Sequence, residues 1–193
     1  MFKPLKFLKV FCVVVLTVAL LSGCGQNQAD TPSNSSEGQP EAEEIKIGTI
    51  GPLSGDIATY GISTKNGVEI AVDQFNENGG INGKKVVLIS EDTRGDQTEA
   101  ANAASKLIER DKVAAIVGGV ISAETMTAGP IANDAGVVMI SSSSTAKGVP
   151  EIGDYIFRNC LSDEVQAIQL AEYAANELGL KKFAIMFTNN DYG

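Results

Sequence analysis

The 193-residue sequence contains no histidine. That removes Ser-His triads, imidazole acid–base chemistry and the commonest metal ligand together. The pattern Gly-x-Ser-x-Gly is also absent, so a hydrolase built on one of the many serines has neither a base nor a nucleophile elbow. The chain is therefore read as a non-enzyme with no catalytic residues. Cysteine is scarce, and beyond position 24 only Cys160 remains. One thiol makes no disulfide framework, and Cys160 is read as a packing residue. Glu91 and Asp92 end an apolar run with no further ligand types close by in sequence; they read as a solvated turn or helix-dipole contact, with no metal and no cofactor implied. Positive charge is scarce too. Of 15 Lys and Arg, Lys3, Lys6 and Lys9 lie in the first nine positions, leaving 12 against 24 acidic residues, a balance of −12. An acidic body without a basic stripe argues against nucleic acid.

What is present begins with an address. Met1–Lys9 is basic and Val10–Leu21 apolar, a run too short to span a bilayer comfortably but of the length of a signal-peptide core. It ends in Leu21-Ser22-Gly23-Cys24, which resembles the lipobox of bacterial lipoproteins, where the cysteine receives a diacylglyceryl group. Residues 1–23 are then a lipoprotein signal peptide and Cys24 the lipidation site; the plainer alternative is an ordinary signal peptide or anchor with an incidental cysteine. Residues 24–44, rich in Gln, Asn, Ser, Pro and Glu, have no apolar period and read as a disordered tether.

The globular chain is organised around Val113–Thr145. Two short apolar runs, Ala114–Val117 and Val137–Ile140, each break into small and hydroxyl residues, Gly118–Ser122 and Ser141–Thr145. A helical segment, Ala123–Asp134, joins them. This is a βαβ unit, and ligands of parallel sheets sit at the carboxyl ends of strands beside helix N-termini. Around it the sequence predicts a strand at Ile45–Ile50, a helix with Val68, Ala71, Val72 and Phe75 inward, a strand at Lys84–Ser90 and a helix over Gln97–Arg110 capped by Asp96. A short strand near Tyr155–Phe157 follows, then a helix over Asp163–Leu178 ended by Gly179, and a strand at Lys182–Phe187. Ser122 is placed to contact a ligand, or merely to cap its helix. Ser141–Thr145 is either part of the same site or a polar surface loop.

With these residues in view the sequence resembles the substrate-binding proteins of branched-chain amino-acid ABC transporters, which have the type I periplasmic-binding fold. The matching pieces are Ile47-Gly48, Pro52-Leu53-Ser54-Gly55, Tyr60-Gly61, Asn76–Gly83, Glu91-Asp92, Ala115–Ser122, Met139–Thr145, Phe157-Arg158 and Asp191-Tyr192-Gly193. The resemblance implies an α/β, Rossmann-like parallel-sheet lobe over residues 45–160 and only the start of a second lobe, its first helix and strand, over 161–193. It implies ligand contacts from Ser122, Ser143 and Thr145 to the α-amino and α-carboxyl groups of an amino acid, with Tyr60 and Tyr192 bordering the pocket. The implied function is a monomeric solute receptor held to the cell membrane by its lipid, facing the extracytoplasmic side. It would close about a hinge on a free amino acid and pass it to ABC permease subunits. Two alternatives stand beside it: a sensory ligand-binding module of the same fold, and a truncated fragment that does not function, since the acidic residue that meets the ligand ammonium in the family lies beyond the matched part.

Overall fold

Short apolar runs alternating with helical segments force each strand to cross a face of the sheet before the next is laid down, which makes the strands parallel. The computed structural model describes residues 44–189 and Tyr192; the expected signal peptide, the expected lipidation site at Cys24 and the expected tether before Glu44 lie outside the described residues. The elements are β1 (Ile45–Gly51), α1 (Ala58–Glu77), β2 (Val86–Asp92) and α2 (Gln97–Ser105, continued by a π-helical turn at Lys106–Arg110). Then come β3 (Ala115–Gly118), α3 (Ser122–Asp134), β4 (Val138–Ser141), a 3-10 turn at Val149–Glu151, β5 (Ile156–Arg158) and α4 (Asp163–Glu172, continued by a π-helical turn at Tyr173–Glu177). All pairings are parallel, in the order β2-β1-β3-β4-β5. The order reverses at β1: the chain steps outward to β2, then returns past β1 to β3. With right-handed crossovers, α1 and α2 therefore lie on opposite faces, and a crevice opens between the β1 and β3 ends.

The core fills the α2–α3 face. Leu107 is fully buried with Ile50, Ile116 and Met139, and Ala103, Ala104, Ala128 and Ala132 let the two helices approach closely. Asp96 caps α2 as its sequence predicts, Oδ1 accepting from Glu99 N at 3.0 Å. On the other face α1 seats through Gly61, where a Cβ would stand 2.0 Å from the Pro52 carbonyl oxygen. Only glycine lets this helix lie against its own entry loop. Its inward side runs through Val68 and Val72 to Asn76, whose side-chain amide pairs with both backbone groups of Val86 at 2.8 Å. Ala71 and Phe75, expected inward, are exposed, because they stand one residue off that four-residue step.

Lys182–Phe187 is not a strand. Among the described residues no neighbouring strand offers it a hydrogen-bond ladder, and Met186 is 98% exposed. Alternation alone cannot hold an extended segment without a partner backbone. Gly179, with φ +64°, follows the α4 end as expected.

Candidate functional site

Five parallel strands deliver five loops to one edge. The β3–α3 loop is shaped by Gly118 and Gly119, the latter at φ +60°. Its carbonyl then points across to the β4 loop, where it accepts the hydroxyl of Ser141 at 2.5 Å and one from the Thr125–Ser144 pair, whose oxygens lie 2.8 and 2.9 Å from it and 2.6 Å from each other. Ser141, Ser144 and Thr125 are fully buried. These hydroxyls hold the two loops together.

The remaining hydroxyls of the run point elsewhere. Ser142 meets Thr64 of α1 at 3.1 Å. Ser143 and Thr145 line a cavity of about 320 Å³ together with Ser122, Tyr60 and Tyr192. All five residues singled out in the sequence thus border one cavity, at the crevice between the β1 and β3 ends. Ile57, Val120, Ile121 and Ala123 complete its wall, which is more apolar than polar. Tyr60 lies in the first turn of α1 and is 64% exposed.

Ser122 is the first residue of α3, not its N-cap; that position is Ile121, with φ −103° and ψ 152°. Ser122 Oγ accepts from Ala146 N at 3.2 Å, and no described residue takes its proton. The amides of Ser122 and Ala123 have no backbone partner among the described residues either. The two β4-loop hydroxyls are opposite in sense. Ser143 Oγ donates to the Val120 carbonyl at 2.5 Å, and Thr145 Oγ1 donates to Asp163 Oδ2 at 2.8 Å. A hydroxyl has one proton, so toward the cavity these two can only accept, while Ser122 can donate. Arg158 steadies this loop through the carbonyls of Thr145 and Ala146, at 3.2 and 2.8 Å.

Three carboxylates that sequence reading left aside build the frame. Asp92 accepts from the amides of Leu53 at 2.8 Å and Ser54 at 3.3 Å, the Ser54 hydroxyl at 2.6 Å and the Arg94 amide at 2.9 Å, fixing the loop that leads to Tyr60. Partial burial alone would raise its pKa, but the Ser54 hydroxyl and the three amides together hold it below the usual carboxylate value. Glu91 pairs with Lys106. Glu124 is fully buried in the first turn of α3; Oε1 accepts the Thr93 hydroxyl, and Oε2 accepts from Val120 N at 3.0 Å and Ile121 N at 3.4 Å. Burial pushes its carboxyl above the ordinary range; these donors offset part of that, and the Asp92 charge adds to it. An acid three residues after Ile121, in a helix first turn, was the available signal. Cys160 is half-buried, its thiol on the Ser144 carbonyl at 3.5 Å, a packing role as expected.

Comparison with known proteins bears on the family and the fold. A family model described as periplasmic binding protein matches residues 44–193. The chain belongs to the periplasmic binding protein family. Among curated relatives, the Leu/Ile/Val-binding protein BraC3 of Rhizobium johnstonii is 35% identical over 151 residues, which is 78% of this chain and 41% of that protein. Among solved structures, the branched-chain amino acid transporter substrate-binding protein LivJ of Streptococcus pneumoniae, in complex with isoleucine, superposes with a TM-score of 0.67 at 35% identity, covering 71% of this chain and 39% of that one. An ABC transporter substrate-binding protein of Desulfitobacterium hafniense in complex with Leu gives 0.68 at 32% identity, covering 78% and 44%. The chain thus spans about two-fifths of the length of these periplasmic binding proteins.

Proposed function

We propose that the cavity binds the α-amino and α-carboxyl groups of a free amino acid, and that the protein is the extracytoplasmic receptor of an ABC transporter. The observation that carries this reading is the opposed hydrogen-bond sense of the two loops. The free Ser122 proton and the unpaired amides at the start of α3 suit a carboxylate, aided by the helix dipole. The committed protons of Ser143 and Thr145 leave only lone pairs, which suit an ammonium. The Val120 carbonyl, already taking one hydroxyl, has a second lone pair for the same group. The apolar wall of Ile57, Val120 and Ile121 suits an aliphatic side chain, in keeping with the Leu and Ile named for the similar structures.

In this reading Tyr60 and Tyr192 flank the ligand, closure about a hinge buries it, and delivery to permease subunits follows. The lipid at Cys24 and residues 24–44 tether a monomeric receptor to the outer face of the cell membrane. No covalent chemistry is involved. The test is calorimetric titration with L-leucine, 4-methylpentanoic acid and isoamylamine, which lack neither, the amino and the carboxyl group respectively. Each missing group leaves polar partners unpaired and should cost about 1–3 kcal/mol, roughly 5- to 150-fold in Kd. Ser122→Ala and Thr145→Val should each weaken leucine binding by a similar amount of about 1–3 kcal/mol. Equal affinity for all three compounds, or unchanged affinity in both variants, removes these loops from the site.

A further inference from the structure

The amino-acid reading gives no role to the most deeply buried acid in the lobe. Glu124 stands two residues after Ser122, in the same helical turn, and is shut from solvent. Its Oε2 takes the amides of Val120 and Ile121, the two that precede α3, while Oε1 takes the hydroxyl of Thr93 from the β2–α2 loop. Two consequences follow. The peptide carrying Ser122 is tied to the neighbouring loop, and the amides of Val120 and Ile121 are taken, while those of Ser122 and Ala123 are left for a ligand anion. A ligand carboxylate at Ser122 and the Glu124 carboxylate then share one helix N-terminus, whose dipole amounts to only about half a positive charge.

We propose that Glu124 is a positioning residue of the ligand site, holding the Val120–Ile121 peptide beneath Ser122 and taking up a proton from solvent when an anionic ligand group enters. This rests on the amino-acid reading and deepens it. The proton settles on Oε1, where the Thr93 hydroxyl turns from donor to acceptor, and Oε2 keeps both amides. The hydrogen bonds thus survive in either state, while the second negative charge does not. The surrounding charges leave this to Glu124. Arg94 pairs with Glu99 at 2.8 Å and Asp96 caps α2 through the Glu99 amide. Lys147 pairs with Glu164 at 3.0 Å and Lys106 with Glu91, while Arg158 is spent on the Thr145 and Ala146 carbonyls. Asp92 is the one that acts on Glu124 through its charge, and it acts in the direction of protonation.

The experiment is calorimetric titration of the chain with L-leucine from the ordinary glutamate value of 4.5 upward to pH 8, in buffers of different ionisation heat. The unsubstituted protein should bind more tightly as pH falls, by about tenfold for a coupling of one pKa unit, with proton uptake seen as buffer-dependent heat. Glu124→Gln keeps the geometry without the charge; it should bind with the acid-side affinity at every pH and take up no proton. Thr93→Val removes a donor that favours the ionised form, so its pH midpoint should move upward, and this variant answers the question even if the Gln variant does not fold. Glu124→Ala, which frees the loop, should weaken binding across the whole range. A Gln variant or a Val variant whose pH profile matches the unsubstituted protein overturns the role, as does an Ala variant that binds normally. Absence of leucine binding by the unsubstituted protein at every pH overturns the amino-acid reading itself, and this proposal with it.

Discussion

Gly119→Ala should be among the most damaging single-methyl additions to this lobe. Gly119 has φ +60°, and an added Cβ would stand 2.1 Å from Thr125 Oγ1 and 2.9 Å from both Thr125 Cα and Met139 Cε. A left-handed alanine costs about 1–2 kcal/mol. Forcing a methyl into a filled site adds about 1–3 kcal/mol, and here the obstruction includes backbone that cannot turn away. The same shift pulls the Gly119 carbonyl from the hydroxyls of Thr125, Ser141 and Ser144. A loss of about 2–5 kcal/mol lowers the melting temperature by about 5–20 °C for a domain of this size. The comparison is Gly67→Ala, where the new methyl meets nothing within 4 Å on the exposed side of α1. That change should stabilise, by up to about 1 kcal/mol, because glycine is a poor helix residue. Circular-dichroism melts of the two variants decide it. If the Gly119 variant melts within a degree of the parent, or the Gly67 variant falls as far as it does, the account of the loop is wrong.

Two further outcomes follow from the same frame. Ser144→Ala removes a hydroxyl shared between the Gly119 carbonyl and Thr125, its 2.6 Å partner, and denaturant unfolding should show a loss of about 1–2 kcal/mol. Asp92 has a folded-state pKa below its ordinary 3.8, so its contribution is present above that value and fades as pH falls through the lower, folded one. Asp92→Asn should therefore be less stable than the parent at pH 6, by a fraction of a kcal/mol for so exposed a group, and the gap should narrow in acid melts as the pH is taken progressively below 3.8.

Much of the lobe was legible because its signals are local. Apolar runs that stop at Gly118 and at Ser141 mark strand ends without reference to anything distant, and strand ends define the ligand edge of a parallel sheet. That is why Ser122, Ser143 and Thr145, with the flanking Tyr60 and Tyr192, fall around one cavity. The rest depends on partners remote in sequence. Four serines in a row look alike until the loop folds; two of them then turn inward to Gly119 and two turn out. Glu124 reads as an ordinary first-turn acid until Thr93, 31 positions earlier, closes over it. Asp163 lies 18 positions beyond the hydroxyl whose proton it takes. Lys182–Phe187 has the alternation of a strand, but a ladder needs a neighbour, and none stands beside it among the described residues.

The central claim is tested most directly by thermal unfolding of the chain with and without free amino acids at millimolar concentration. At 100 times its dissociation constant a ligand stabilises by about 2.7 kcal/mol, a shift of several degrees. The account predicts that shift for L-leucine and its branched-chain relatives, and its loss in Ser122→Ala and Thr145→Val. A cooperative transition that no amino acid moves would contradict it.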